Sequence, residues 1–256
     1  MTRIVAIANQ KGGVGKTTTS INVAAALAEQ VRRVLLIDLD PQSNATMGSG
    51  ASDAERSLYD VLLGEVAAQS AIARLACGYD MLASHADLSG AELELAQAAH
   101  RERRLRQALA PLQGAYDYIY IDCPPALSLL TINALVAADS VLIPMQCEYY
   151  ALEGLTALLG TIRRVRAQLN PALTIEGLLR TMFDPRNGLA IEVSDQLTRH
   201  FGNQLFQTII PRNIRLAEAP SYGMPALYHD KQSKGAAAYL ALADEILARS
   251  GPEAAP

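Results

Sequence analysis

The sequence predicts a doubly wound α/β fold, a mostly parallel sheet flanked by helices, as one domain over residues 1–249 with a frayed tail at 250–256. Three observations carry this prediction. Short runs rich in Ile, Val, Leu or Tyr alternate with longer helical patterns. These runs are apolar on both faces, as strands of a parallel sheet covered on both sides must be. The glycine-rich stretch "NQKGGVGKTT", Asn9 to Thr18, joins the first such run to the first helical pattern.

The strand-like runs, in chain order, are Arg3 to Ala8, Arg33 to Ile37, Tyr118 to Ile121, Ser140 to Pro144 and Thr174 to Leu179. Helical patterns fill Lys16–Glu29, Ser89–Leu112 and Ala151–Leu169, and a last one covers Ala237–Arg249. A chain of 256 residues, 50% hydrophobic and 19% charged, is long enough for one large core and short for two. No run approaches the length of a membrane-spanning helix, and the N-terminus lacks a signal-peptide pattern, so a soluble protein retained where it is made is expected. Cys77, Cys123 and Cys147 are odd in number and widely spaced, which fits free thiols in a reducing compartment and neither a disulfide framework nor a C-x-x-C metal site. The net charge of −4 argues against a protein that coats nucleic acid along its whole surface but allows a local basic patch.

Ligands of such sheets bind at the carboxyl ends of the strands. Three features fall there. Gly12, Gly13, Val14, Gly15, Lys16, Thr17 and Thr18 follow a strand and open a helix, the context of a phosphate cradle, with backbone N–H groups converging on the β-phosphate. Lys16 should reach the β- and γ-phosphates and the Thr17 hydroxyl should bind Mg²⁺. Asp122 ends an apolar run and fits the second acidic position, holding Mg²⁺ through water. Asp38 and Asp40 stand two apart, so on a continuing strand both point to one face. Two carboxylates beside a polyphosphate repel it unless a metal or a water needs them, which makes Asp38 a candidate metal residue and Asp40 a candidate for ordering the attacking water. The four histidines are isolated, and no Ser/His/Asp or H-E-x-x-H spacing competes. Two details of the loop are unusual: Gln10 occupies the place of the first glycine in G-x-x-x-x-G-K-[ST], and a second lysine, Lys11, precedes Lys16.

The segments "NQKGGVGKTTTSINVAAALA", "RVLLIDLDPQSNAT", "YDYIYIDCPPALSLLTINAL", "SVLIPMQCEYYALEGL", "TMFDPRN" and "IIPRNIRLAEAPSYG" resemble the ParA/Soj-type partitioning ATPases, P-loop NTPases of the deviant Walker A class in the MinD/ParA superfamily. The resemblance covers nearly the whole chain. It implies a sandwich homodimer with ATP and Mg²⁺, in which Lys11 serves the partner subunit's nucleotide and Asp40 is critical for hydrolysis. One loop wraps only one triphosphate, so a second lysine has charge to offer another, and a γ-phosphate touched by both subunits makes dimerisation depend on ATP. The resemblance further implies adenine contacts near Met182, Asp184, Pro211, Arg212 and Asn213, with turn capping as the competing role for the polar groups there. It also implies sequence-independent binding to double-stranded DNA through Arg186 and Arg215, a ParB-type partner that stimulates hydrolysis, and a cytoplasmic, nucleoid-associated protein.

Electrostatics alone would not single out those arginines: residues 180–234 carry seven basic and five acidic side chains. The run Arg101 to Arg106, "RERRLR", reads as the solvated face of a helix. A membrane-cycling regulator of the MinD kind is the rival inside the superfamily, but it needs a basic amphipathic C-terminal helix, and here Asp244 and Glu245 leave Arg249 as that helix's one cation. Iron proteins that share the loop need cluster-holding cysteines, which Cys123 and Cys147 do not supply. A nucleotide-dependent scaffold without turnover is the rival from another class, and Asp40 discriminates, because a scaffold has no water to position. Val31 stands where the family has a glycine at the helix-to-strand turn, a departure expected to cost stability and to leave the site untouched.

Overall fold

The computed structural model describes residues 2–52 and 54–250. Eight strands form one sheet: β1 (Arg3–Ile7), β2 (Val34–Asp38), β3 (Ile72–Arg74), β4 (Asp80–Leu82), β5 (Tyr118–Asp122), β6 (Ser140–Gln146), β7 (Thr174–Phe183) and β8 (Leu205–Pro211). Their spatial order is β3-β4-β2-β5-β1-β6-β7-β8. Every pairing is parallel except the β3–β4 edge. The helices are α1 (Lys16–Glu29), α2 (Asn44–Gly48), α3 (Leu58–Leu63), α4 (Leu88–Leu95), α5 (Arg104–Leu109), α6 (Leu129–Ala137), α7 (Ala151–Gln168), α8 (Gly188–Phe201), α9 (Ile214–Glu218), α10 (Ala226–His229) and α11 (Lys234–Ser250).

Strand alternation builds the two layers. Along β1, Ile4 and Ala6 join a core that includes Leu130 and Leu135 of α6, Leu155 of α7 and Leu197 of α8. Val5 and Ile7 point the other way, into a core with Val23 and Leu27 of α1 and Tyr239, Leu242 and Ile246 of α11. Both faces of the central strands are thus sealed from water, as their all-apolar composition requires.

The five expected strands and the helices at 16–29 and 151–169 are present, with bounds within a residue or two except at β7, which runs four residues beyond Leu179 to Phe183. Ser89–Leu112 is a correction: α4 and α5 are separate, and His100 between them has a left-handed backbone, φ 52°. Asn133 of α6 fixes the second start by accepting from Leu105 N (3.1 Å) and donating to Arg101 O (2.9 Å). The frayed-tail prediction falls on 251–256, outside the described residues, and Ser250 closes α11 with its hydroxyl on Ile246 O. Cys123 and Cys147 are buried free thiols; Cys77 is half-buried.

Val31 ends α1 in a Schellman turn. Its N–H donates to Ala28 O and the next N–H, of Arg32, reaches back to Leu27 O. The turn places Val31 at φ 60°, a left-handed conformation that a β-branched residue adopts only under strain.

Candidate functional site

The loop after β1 turns through two left-handed glycines, Gly13 (φ 74°) and Gly15 (φ 85°), before α1 begins at Lys16. A side chain at either position would be strained by the left-handed backbone, although at Gly15 a Cβ would meet Thr181 only at an ordinary contact distance of 3.7 Å. Thr181 of β7 donates its hydroxyl to Val14 O (2.8 Å), tying the loop to the neighbouring strand. Asn9 braces the entry, donating to Pro144 O and accepting from Lys11 N.

The loop opens onto a cavity of about 770 Å³, within the size range of small-molecule sites. Gly12, Gly13, Gly15, Lys16, Thr17, Thr18, Asp40, Met182, Pro211, Arg212 and Asn213 all line it. Residues scattered over two hundred positions therefore meet at one place, the carboxyl end of the sheet. Lys16 is 7% exposed, and its ammonium rests on Lys11 O at 3.3 Å, a loop carbonyl standing where a phosphate oxygen would. Burial lowers the Lys16 pKa, while Asp122, Cys123 and Asp40 oppose the fall.

Asp38 and Asp122 end adjacent strands in register, and both are fully buried. Burial pushes both carboxyls above the usual range, and the charge of Asp38 adds to the rise at Asp122. Their satisfaction differs. Asp38 accepts from Thr46 N (2.8 Å), Thr46 Oγ1 (2.7 Å) and Asp40 N (3.1 Å). Asp122 accepts from Ser20 Oγ through Oδ1 (2.8 Å), but its Oδ2 is buried with no partner. Thr17 moderates the Asp122 rise without a well-formed bond to that oxygen. An orphaned carboxylate oxygen near a threonine hydroxyl at the phosphate loop suits Mg²⁺, a hard cation that takes few protein ligands and completes its shell with water and phosphate. Among the described residues no three His, Cys, Asp or Glu cluster as a closed metal cage.

The structure departs from the sequence expectation at several predicted residues. β2 stops at Asp38, so Asp40 lies on the loop beyond it, turned into the cavity and not side by side with Asp38 on a strand face. Gln42 N holds Asp40 Oδ1 at 3.0 Å. Lys11 does not line its own loop's cavity; its ammonium pairs with Glu148, just past β6, and both side chains are part exposed. Asp184 is also outside the cavity: Arg186 binds it through two guanidinium nitrogens, which holds the carboxyl down at about 2. Asn213 uses its oxygen to cap α9 at Arg215 N. Turn capping, the competing role, is what these two polar groups perform. Arg186 is 89% exposed, and Arg215 is gripped by Glu218 (2.9 Å) and Asp230 (3.2 Å).

Sequence reasoning missed Ser20, Thr46, Thr181 and Glu148. The first three are hydroxyl residues whose roles depend on partners many positions away, and no local pattern marks them. Glu148 lies inside the quoted segment "MQCEYYALEGL", but only the folded chain brings it to Lys11. The apolar face of the C-terminal helix packs on the core: α11 buries Tyr239, Leu242 and Ile246, and Glu245 accepts from the backbone N–H groups of Gln207 and Thr208. No helix among the described residues is long and apolar enough to cross a membrane.

Comparison with known proteins identifies the family. A family profile described as an AAA domain matches residues 2–175. The chromosome partitioning protein ParA of Caulobacter vibrioides is 51% identical over 252 residues, covering 96% of this chain and 94% of that one. The chromosome-partitioning ATPase Soj of Thermus thermophilus is 52% identical over 247 residues, 96% of both chains. Among solved structures, cobyrinic acid a,c-diamide synthase from Mycobacterium smegmatis, with a bound ATP analogue and magnesium, superposes with a TM-score of 0.86 at 40% identity over 98% of each chain. A glycine loop, two strand-end aspartates and near-complete coverage by partitioning proteins at half identity lead to one conclusion: the chain belongs to the ParA/Soj family of chromosome-partitioning ATPases.

Proposed function

We propose that the chain is a Mg²⁺-dependent ATPase that pairs with a second copy when it holds ATP, binds double-stranded DNA without reading its sequence, and leaves DNA when a ParB-type partner stimulates hydrolysis. The observation that carries this reading is the position of Lys11, outside the cavity of its own loop and paired with a part-exposed glutamate. A lysine that serves its own triphosphate would have its ammonium inside that cavity, as Lys16 does. A protein that acts on chromosomal DNA in this way would work in the cytoplasm, on the nucleoid; the relatives named for chromosome partitioning support that reading.

In this mechanism Lys16 gives up its loop carbonyl for the β- and γ-phosphate oxygens, and the amides of Gly13 to Thr17 surround the β-phosphate. Thr17 and the orphaned Asp122 Oδ2 would hold Mg²⁺, with Asp38 keeping Thr46 and the Asp40 backbone in place behind them. Magnesium, when bound, offsets the negative charge that the phosphates carry and develop. Asp40, with one oxygen fixed by Gln42 N, presents its other oxygen to the attacking water and orients it. Lys11 exchanges Glu148 for the partner's γ-phosphate, so a second subunit is held only while that phosphate is present. Met182, Pro211 and Arg212 wall the remaining space for the base. Arg186 and Arg215, doubled by the dimer, would meet DNA phosphates.

Light scattering with ATP, ADP or no nucleotide, with and without duplex DNA, tests this. The mass should double only with ATP, and DNA should be retained only by that dimer. A monomer that holds DNA equally well without ATP would defeat the proposal.

A further inference from the structure

The basic run Arg101 to Arg106 has no part in the nucleotide site, and the structure gives it a setting that the sequence did not. Between α3 and α5 lies a groove of about 180 Å³, walled by Leu62, Val66, Ala67, Ala108 and Pro111. It shares no residue with the nucleotide cavity. Arg104 lies half-buried in it, reaching from α5 toward the end of α3, where its Nη1 stands 3.9 Å from the position of a Cβ on Gly64. Its Nε is buried and has no hydrogen-bond partner. The neighbouring carboxylate, Glu102, turns to Arg103 instead. A buried guanidinium nitrogen without an acceptor is costly, and because Nε itself has no reachable surface, an acceptor from outside would meet the half-buried guanidinium through its Nη nitrogens.

The volume and the charge identify that acceptor. About 180 Å³ is below the range of cofactor sites and large enough for one or two side chains. Residues 101–106 carry four arginines against one glutamate in a chain of net charge −4, so an acidic partner repelled elsewhere is drawn to this face. A DNA backbone is a poorer fit, because its phosphates meet exposed cations on open surfaces, whereas Arg104 is recessed between aliphatic side chains. We propose that this groove docks a peptide segment of a partner protein, with one Asp or Glu side chain pairing to Arg104 and flanking aliphatic side chains covering Val66, Ala67 and Ala108.

A random peptide library displayed on phage, selected against the full chain, tests the proposal, with the enriched peptides then titrated by fluorescence polarisation. Enriched peptides should place Asp or Glu beside Leu, Ile or Val. Arg104→Met, which keeps the aliphatic stem, should weaken them by about tenfold or more, the loss expected for a charge-assisted hydrogen bond. Ala108→Trp, which fills the groove, should do the same, and neither change should alter ATPase turnover. Peptides without a carboxylate, binding indifferent to both variants, or no enrichment at all would overturn the proposal. So would loss of DNA affinity on replacing Arg101, Arg103 and Arg106 in the absence of peptide binding, which would make the face a nucleic-acid surface. A fall in melting temperature as the sole effect of Arg104→Met would reduce Arg104 to a support for α3.

Discussion

Removing a candidate metal residue should make the nucleotide-free protein more stable, and more so as pH rises. Asp122 and Asp38 are buried side by side, and both carboxyls are raised by burial, with mutual repulsion adding at Asp122. The sign follows from linkage. A carboxyl whose folded pKa lies above its unfolded value contributes fully when both states are protonated, below about pH 4, and that contribution is lost as pH climbs toward the folded pKa near neutrality. A tenfold change in proton affinity corresponds to ~1.4 kcal/mol, so the loss once the proton has left is on the order of a few kcal/mol.

Asp122→Asn keeps an acceptor for Ser20 and removes the charge, but it leaves an amide N–H in the place of Oδ2, at a cost of about 1–2 kcal/mol. The net gain above neutrality is about 2 kcal/mol, or about 5 °C in Tm for a chain of this size. Differential scanning calorimetry in EDTA, for both proteins from about pH 5 to about pH 8, reads the difference directly and cancels the titration of every group remote from the Asp122–Asp38 pair. Mg²⁺-ATP should then raise the wild-type Tm far more than the variant's, because ligation stabilises only a site that binds. A gap that does not widen with pH, or a variant that melts below wild type at the alkaline end, would refute the claim that these carboxylates are strained by burial.

Lys11→Ala should abolish ATP-dependent dimers in light scattering yet leave the monomer's Tm nearly unchanged, since its pair with Glu148 is part exposed and worth less than about 1 kcal/mol. Asp40→Ala should bind ATP and accumulate on DNA while phosphate release falls by about a hundredfold or more. Arg215→Gln, which removes the cation that Glu218 and Asp230 hold, should lose DNA retention in a filter assay without losing dimerisation, and the remaining binding should depend less steeply on salt. Val31→Gly relieves a left-handed valine that is 91% exposed, so no packing is lost, and Tm should rise by about 3 °C for about 1 kcal/mol.

The fold was legible where burial is two-sided and the run is long. β1, β2, β5 and β6 announce themselves as nearly continuous apolar segments, and β7 through Gly177 to Leu179 despite Glu176 and Arg180. β3 and β4 are three residues each and pair at an edge, too short to carry a period. β8 lies on the opposite edge, where polar Gln207 and Thr208 interrupt it and only Leu205, Phe206 and Ile210 are buried, so its sequence lacks the unbroken apolar signature. The break between α4 and α5 depends on Asn133, an amide roughly thirty positions away that caps a helix it does not belong to. Phosphate-loop geometry was legible for the opposite reason: glycine at left-handed positions is a local demand that leaves a local trace. Pairings such as Ser20 with Asp122 or Lys11 with Glu148 leave none.

Those pairings explain how a site of this kind can turn over. In the nucleotide-free chain nearly every proposed ligand group already has a substitute: Lys16 rests on a carbonyl, Lys11 on Glu148, Arg186 on Asp184, Arg215 on Glu218 and Asp230. Binding ATP, a second subunit or DNA therefore exchanges one interaction for another, and the net affinity is the difference between them, smaller than the sum of the new contacts. Asp122 Oδ2 is the exception among these groups, orphaned and buried. In the proposed cycle, exchange would let each partner go when the γ-phosphate is lost, and the one group without a substitute, Asp122 Oδ2, is where a cation would be most needed.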